Sequence, residues 1–425
     1  MKLENRYALK NMTIIDGTGA SPIKGKTIVV EDGVITGIID SDDFAKDIQA
    51  IDLSGKTIMP GLIDAHIHLF GAAENLDKEL MTSDITMQAL RAVPQAQKVL
   101  RYGFTALRDV TYNGLYLKRL FAEGNIKGPK IISSGPGLNH MACFSTVANW
   151  ESLERIRFKN NWGMGCYNRD DMSKAIQILF SEGADQIKMF VNGSGCGFTD
   201  RVLDKHYNYD DICFVVEEAK KVSDTKVIAH LFNNESAWDC LHAGVDTFEH
   251  LGFLDEELCE AMAEKGKYLV PTATLLTLWA NEGMDFRTAE GFFMRDLYCS
   301  ESAAEMQEKC AADFRMAHRA GVKIALGTDT IIDEMTPYGE FSVQELKTMT
   351  DLGMTPLETI HSATQIGAEV LGLETVIGTI EAGKQADLLI LSEDPSDDIT
   401  VLMDPEKLEY VLQDGKVAVD HGQLL

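Results

Sequence analysis

Eight short apolar runs, separated by stretches of helical periodicity, constrain this chain more than any other feature. They are Leu62–Leu69, Phe104–Val110, Lys130–Ser134, Asp185–Val191, Lys226–Leu231, Asp246–Leu251, Tyr268–Thr272 and Lys323–Asp329. Apolar runs that alternate with helices read as parallel strands covered on both faces. Eight such units predict an α/β fold, a (β/α)8 barrel of the TIM type. Helices are expected at Asp171–Glu182, Asp210–Val222 and Glu301–Ala320 between the strands.

Both ends of the chain have a different texture. From about residue 6 to 59, short strand-like runs are punctuated by Asp16-Gly17 and Asp32-Gly33. The pattern returns in Ala386–Leu391, Leu408–Leu412, Asp414-Gly415 and Lys416–Val419. The expectation is a composite β-sandwich domain made of residues 1–59 and 376–425, flanking a barrel domain of residues 60–375. At 425 residues the chain is long enough for both.

Acidic residues outnumber basic ones 66 to 39, a formal charge of −27 that repels nucleic acid and anionic membranes. No nucleic-acid or membrane partner is expected; a small molecule is. The plainest reading of the charge is a solvated surface. Eight cysteines are scattered without a CxxC pair, which fits reduced thiols. The opening residues Met1–Lys10 lack the apolar stretch of a signal peptide, and no apolar run is long enough to cross a bilayer. A cytoplasmic location is therefore expected.

Polar residues that interrupt the ends of the eight runs carry the chemistry. They are His66 and His68 on the first run, Lys188 on the fourth, His230 on the fifth, His250 on the sixth and Asp329 on the eighth. The carboxyl ends of barrel strands share one face, and positions two apart on a strand point the same way, so all six should converge. Any one of these histidines alone is more simply a core or surface residue. Together they make a donor set suited to divalent transition metals. Five donors exceed what one ion needs, so two divalent metal ions are expected, zinc foremost, sharing a bridging hydroxide. A lysine buried among such groups should have a depressed pKa. Its neutral amine could take up carbon dioxide, giving an anionic carbamate on Lys188.

The chain resembles the amidohydrolase superfamily, and within it the imidazolonepropionase-related Xaa-Pro dipeptidases (prolidase-like). The resemblance spans nearly the whole chain. It rests on Pro60–His68, Gln186–Lys188, Ala229-His230, Ala243–His250, Ala325–Thr330, Thr355-Pro356, Ser362–Thr364 and Gly378–Ile390. It implies that His66, His68, carboxylated Lys188 and Asp329 bind one metal, and carboxylated Lys188, His230 and His250 the other. It also implies hydroxide attack on an amide of a dipeptide or N-acyl amino acid, with Asp329 as proton shuttle. His140 matches a substrate-side histidine of the relatives, where it could hold the carbonyl oxygen.

One departure stands out. Those dipeptidases tend to carry tyrosine or histidine two places after the fifth-strand histidine, where this chain has Phe232. Arg201 could pair bidentately with a substrate carboxylate, although a surface salt bridge is the simpler reading. The loop Asn192–Gly197 lacks the register of a nucleotide loop. Phe144, Trp150, Trp162, Tyr167, Phe198, Trp279 and Tyr338 could line an apolar pocket. His206, His242, His318, His361 and His421 lie off the strand ends and are assigned no chemistry, and Cys143 and Cys196 read as incidental thiols.

The competing enzymatic reading is a hydrolase or deaminase of a cyclic amide, amidine or lactone. Single-metal deaminases usually carry a glutamate where this chain has Asn233, and the presence of Lys188 also opposes them. A non-catalytic barrel used for binding or assembly would be expected to have lost ligands, and all six are present. A homo-oligomer is expected from the habit of the relatives.

Overall fold

A computed structural model describes residues 1–40, 47–72, 84–140, 161–193, 203–275 and 303–425. The ends of the chain meet in two sheets. One has four strands, in the order Val34–Asp40, Lys26–Glu31, Arg6–Lys10, Gln49–Asp52. The other has six and mixes both ends, because Leu388–Leu391 pairs antiparallel with Thr57–Pro60. Alternating β-branched and leucine side chains give these strands one buried face, and Leu9, Ile28, Ile58, Leu388 and Ile390 share a core. The Asp-Gly pairs close the hairpins: Asp32 and Gly33 have φ of 48° and 85°, and Asp414 and Gly415 of 48° and 69°. Positive φ at both central residues is what a tight two-residue turn between twisted strands requires.

The middle of the chain forms parallel sheet. Leu62–Ile67, Phe104–Asp109 and Lys130–Ser133 make three strands. Gly163–Gly165, Gly137–Asn139, Ile187–Phe190, Val227–His230, Thr247–Glu249, Tyr268–Val270 and Lys323-Ile324 make seven. Backbone bonds join the two sheets at both junctions. At one, Ala65 N–H donates to Leu326, Asp329 N–H to His66, and His68 N–H to Thr330; at the other, Asp185 N–H donates to Ser133.

Helices fill the connections as expected. Arg169–Glu182 starts at an Asn168 cap and stops at left-handed Gly183, and Tyr209–Lys220 starts at an Asn208 cap. Ala303–Ala320 is the third, and residues 301 and 302 lie outside the described residues. Two points differ from the sequence reading. The third run breaks at Gly135-Pro136 and resumes as Gly137–Asn139, since proline cannot donate to a ladder. The eighth run keeps regular strand geometry only at Lys323-Ile324; beyond it the chain is irregular as it runs beside Ala65–His68.

Hydrogen bonds tie the terminal sheets to the parallel ones. Lys130 pairs with Asp387 at 2.8 Å and Asp414 at 3.0 Å, and Gln413 donates to the carbonyls of Thr105 and Gly128. Among the described residues, no helix is long and apolar enough to cross a membrane.

Candidate metal centre

His66 ends up inward because Asp64 clamps its strand to the last one. The Asp64 carboxylate accepts from the backbone N–H of His66 and Thr328 and from the hydroxyls of Thr328 and Ser342. Asp329 lies one residue beyond Thr328, with Oδ1 3.0 Å from His68 Nε2 and 3.5 Å from His66 Nε2. His66, His68 and Asp329 offer donor atoms within 4.8 Å of one another.

Across the site, His250 Nε2 lies 2.7 Å from His230 Nδ1, and His250 Nδ1 is 2.9 Å from the Thr272 hydroxyl and 3.9 Å from Asp329 Oδ2. Lys188 is 1% exposed, and its Nζ has no hydrogen-bond partner among the described residues. The structure thus gathers all six residues singled out at the strand ends. Three residues of this rim hold left-handed backbone, His250 at φ 77°, Thr272 at 48° and Asp329 at 56°. Such conformations cost about 1–3 kcal/mol each unless the surroundings fix them. Here the N–H groups of His250 and Asp329 are bonded to Val270 and His66.

Burial sets the protonation states. It pushes the His66 imidazole down to about 4, aided by the nearby Lys188 charge, and carries His250 well below its usual range. It lowers the Lys188 ammonium to about 8, against the pull of Glu249 and Asp329. Burial alone would raise Asp329, but the His68 hydrogen bond and the electrostatic pull of His66, His68 and Lys188 outweigh it, and the carboxyl is lowered. The neutral imidazoles of His66 and His250, a poised amine and an ionised carboxylate suit a divalent cation. Lys188 Nζ and His68 Nδ1, both buried and without a hydrogen-bond partner among the described residues, mark places where further partners fit.

Glu249 and Arg108, which the sequence reading passed over, orient the centre. Glu249 Oε2 lies 2.5 Å from His66 Nδ1 and accepts from Arg108 Nη2 at 2.8 Å. Arg108, fully buried, also bonds Thr247 and the Ala65 carbonyl. Glu249 immediately precedes His250 in a stretch already singled out, so adjacency was the available signal.

Phe232 replaces polarity with packing. Its ring stacks on His250 at 5.2 Å and 2°, and meets His230 edge-on at 5.1 Å. Phe70, Trp162 and Phe190 continue the aromatic wall from His68 to His230. Tyr338 is no pocket residue: it is 1% exposed and donates to the carbonyls of His68 and Ile331. His140 packs near Tyr167 and Tyr207 and, at 5.7 Å, beside His206, a residue assigned no chemistry. Asn233 caps the helix Asn234–Ala243 by accepting from Ser236 N–H. Arg201, Cys143, Cys196, Phe144, Trp150, Phe198 and Trp279 lie outside the described residues.

Buried histidines and a carboxylate at the ends of parallel strands define a metal-binding hydrolase. The chain belongs to the amidohydrolase family, which it matches over residues 57–418. It is 28% identical over 424 residues to an ochratoxinase of Aspergillus niger, spanning 95% of this chain and 85% of the other. Among solved structures it resembles a prolidase complexed with N-methylphosphonate-L-proline, with 27% identity, a TM-score of 0.85 and coverage of 98% and 99%. It also resembles a Xaa-Pro dipeptidase with methionine bound in the active site, with 26% identity, a TM-score of 0.83 and coverage of 97% and 99%.

Proposed function

We propose that this protein is a binuclear metal-dependent amidohydrolase cleaving the carbon–nitrogen bond of a dipeptide or N-acyl amino acid. In this reading the two parallel sheets form one closed (β/α)8 barrel of residues 60–375, and residues 1–59 and 376–425 form a β-sandwich domain beside it. The carrying observation is Lys188, a buried amine without a hydrogen-bond partner among the described residues, set within four imidazoles and a carboxylate. Carboxylated by carbon dioxide, it would supply the shared anionic donor. His66, His68, Lys188 and Asp329 would hold one ion, and Lys188, His230 and His250 the other.

Divalent ions held by these residues, zinc foremost, would supply Lewis-acid activation of the scissile carbonyl and of the attacking water. Asp329, held ionised, would take a proton and return it to the leaving nitrogen. Glu249 would keep the His66 proton on Nδ1 and leave Nε2 as the atom that binds metal. His140 would hold the substrate's carbonyl oxygen, and Arg201 its carboxylate. The names of the solved relatives support the dipeptide class, and the apolar wall at Phe232 favours a hydrophobic acyl group.

Metal analysis of purified, zinc-supplemented protein should return two ions per chain, and fewer than one would sink the two-ion reading. With dipeptide and N-acyl amino-acid panels, Asp329→Asn should cut turnover by about 100- to 10,000-fold. Unchanged turnover in that variant would refute the shuttle.

A further inference from the structure

Asn139 stands at the carboxyl end of the strand Gly137–Asn139, beside Ile187–Phe190, and is fully buried. Neither its amide oxygen nor its amide nitrogen has a hydrogen-bond partner among the described residues. Its direction follows from the strand. Leu138 registers with Met189, and both belong to the apolar core. Gly137 lies on the opposite face, where a Cβ would come within 3.0 Å of Lys188 Cγ and 2.6 Å of the Phe190 ring. Asn139, two places on, therefore shares the Lys188 face, one step nearer the carboxyl end. Gly163 makes room for it, since a Cβ there would come within 3.2 Å of Asn139 Nδ2.

A buried amide left without partners is destabilising, and such groups persist where a ligand completes them. A primary amide offers a donor and an acceptor side by side. The N–H of a secondary amide, –CO–NH–, can donate to Asn139 Oδ1, an acceptor without a partner among the described residues, whereas a tertiary prolyl amide has no N–H to give. We propose that Asn139 is a substrate-binding residue that recognises the scissile secondary amide, so that the preferred substrate is an N-acyl amino acid or non-prolyl dipeptide. This rests on the amidohydrolase reading and narrows its substrate class.

The test compares N-benzoyl-L-alanine with its N-methyl analogue, identical but for the scissile N–H. Zinc-loaded wild type, Asn139→Ala and Asn139→Leu are assayed for kcat/KM, for binding by titration calorimetry, for Tm and for bound metal. Wild type should favour the N–H amide, and both variants should lose about tenfold or more on it while changing little on the N-methyl analogue. Bound metal should be unchanged, and Tm should hold or rise in at least one variant, because no internal bond is lost. Equal losses on both amides, a fall in Tm in both variants, or loss of metal would overturn the assignment and leave the hydrolase standing. Hydrolysis of neither amide by wild type would count against the hydrolase reading instead. The calorimetric preference for the N–H amide, and its loss in the variants, would then decide the role of Asn139 alone.

Discussion

Glu249 is a carboxylate with no contact to water, and it stays ionised because Arg108 and His66 flank it. Burial by itself would raise its pKa; the Arg108 charge and the His66 bond overcome that and hold it far below the usual range. A carboxylate in this position fixes the imidazole tautomer and makes it a stronger donor. Glu249→Gln should therefore weaken metal binding by about 10- to 100-fold in chelator competition, with the fold retained. An unchanged affinity would show that the carboxylate does not act on the centre. The six residues of the centre were legible because each interrupts an apolar run with a polar group. Glu249 and Arg108 were not, since what they do depends on partners brought alongside by other strands.

Among the elements, the helices and most parallel strands follow from periodicity, because burial on both faces leaves long apolar runs. Gly137–Asn139 and Gly163–Gly165 escaped notice: they are short and glycine-rich, and pairing alone holds them extended. The helix Glu340–Asp351 shows a different kind of hidden role. Its Glu345, fully buried, accepts from the N–H groups of Ala273 and Thr274 and so pins the chain just beyond Thr272, the partner of His250. Burial raises this carboxyl from the ordinary 4.5 to about 7, against the opposing bonds from Thr274 and Ala273. The folded state therefore binds the proton more tightly than the unfolded chain. The stability this gives is complete below 4.5 and is lost as pH rises toward 7. Glu345→Gln cannot titrate, so the Tm gap between wild type and variant should narrow from pH 5 to pH 7. A gap constant across that window would show that Glu345 is ionised throughout.

At the scale of the whole molecule, the terminal sheets were legible from their Asp-Gly turns and alternating strands, but their attachment to the parallel sheets was not. It depends on Lys130, on a parallel strand, reaching the almost fully buried Asp387 and the turn residue Asp414. Burial would lower the Lys130 ammonium, yet the two carboxylates hold it above its ordinary value. Lys130→Ala would leave Asp387 buried without its cation, which should cost about 3 kcal/mol in urea unfolding. A loss within experimental error would mean that the Lys130 ion pairs do not hold the sheets together. The aromatic wall has a consequence of another kind, in the genetic code. Phenylalanine and tyrosine codons differ by one base, and a tyrosine at position 232 would keep the ring that stacks on His250 while restoring the hydroxyl that related dipeptidases tend to carry. A single base change thus separates an apolar wall from a polar one at position 232 while keeping the ring that stacks on His250.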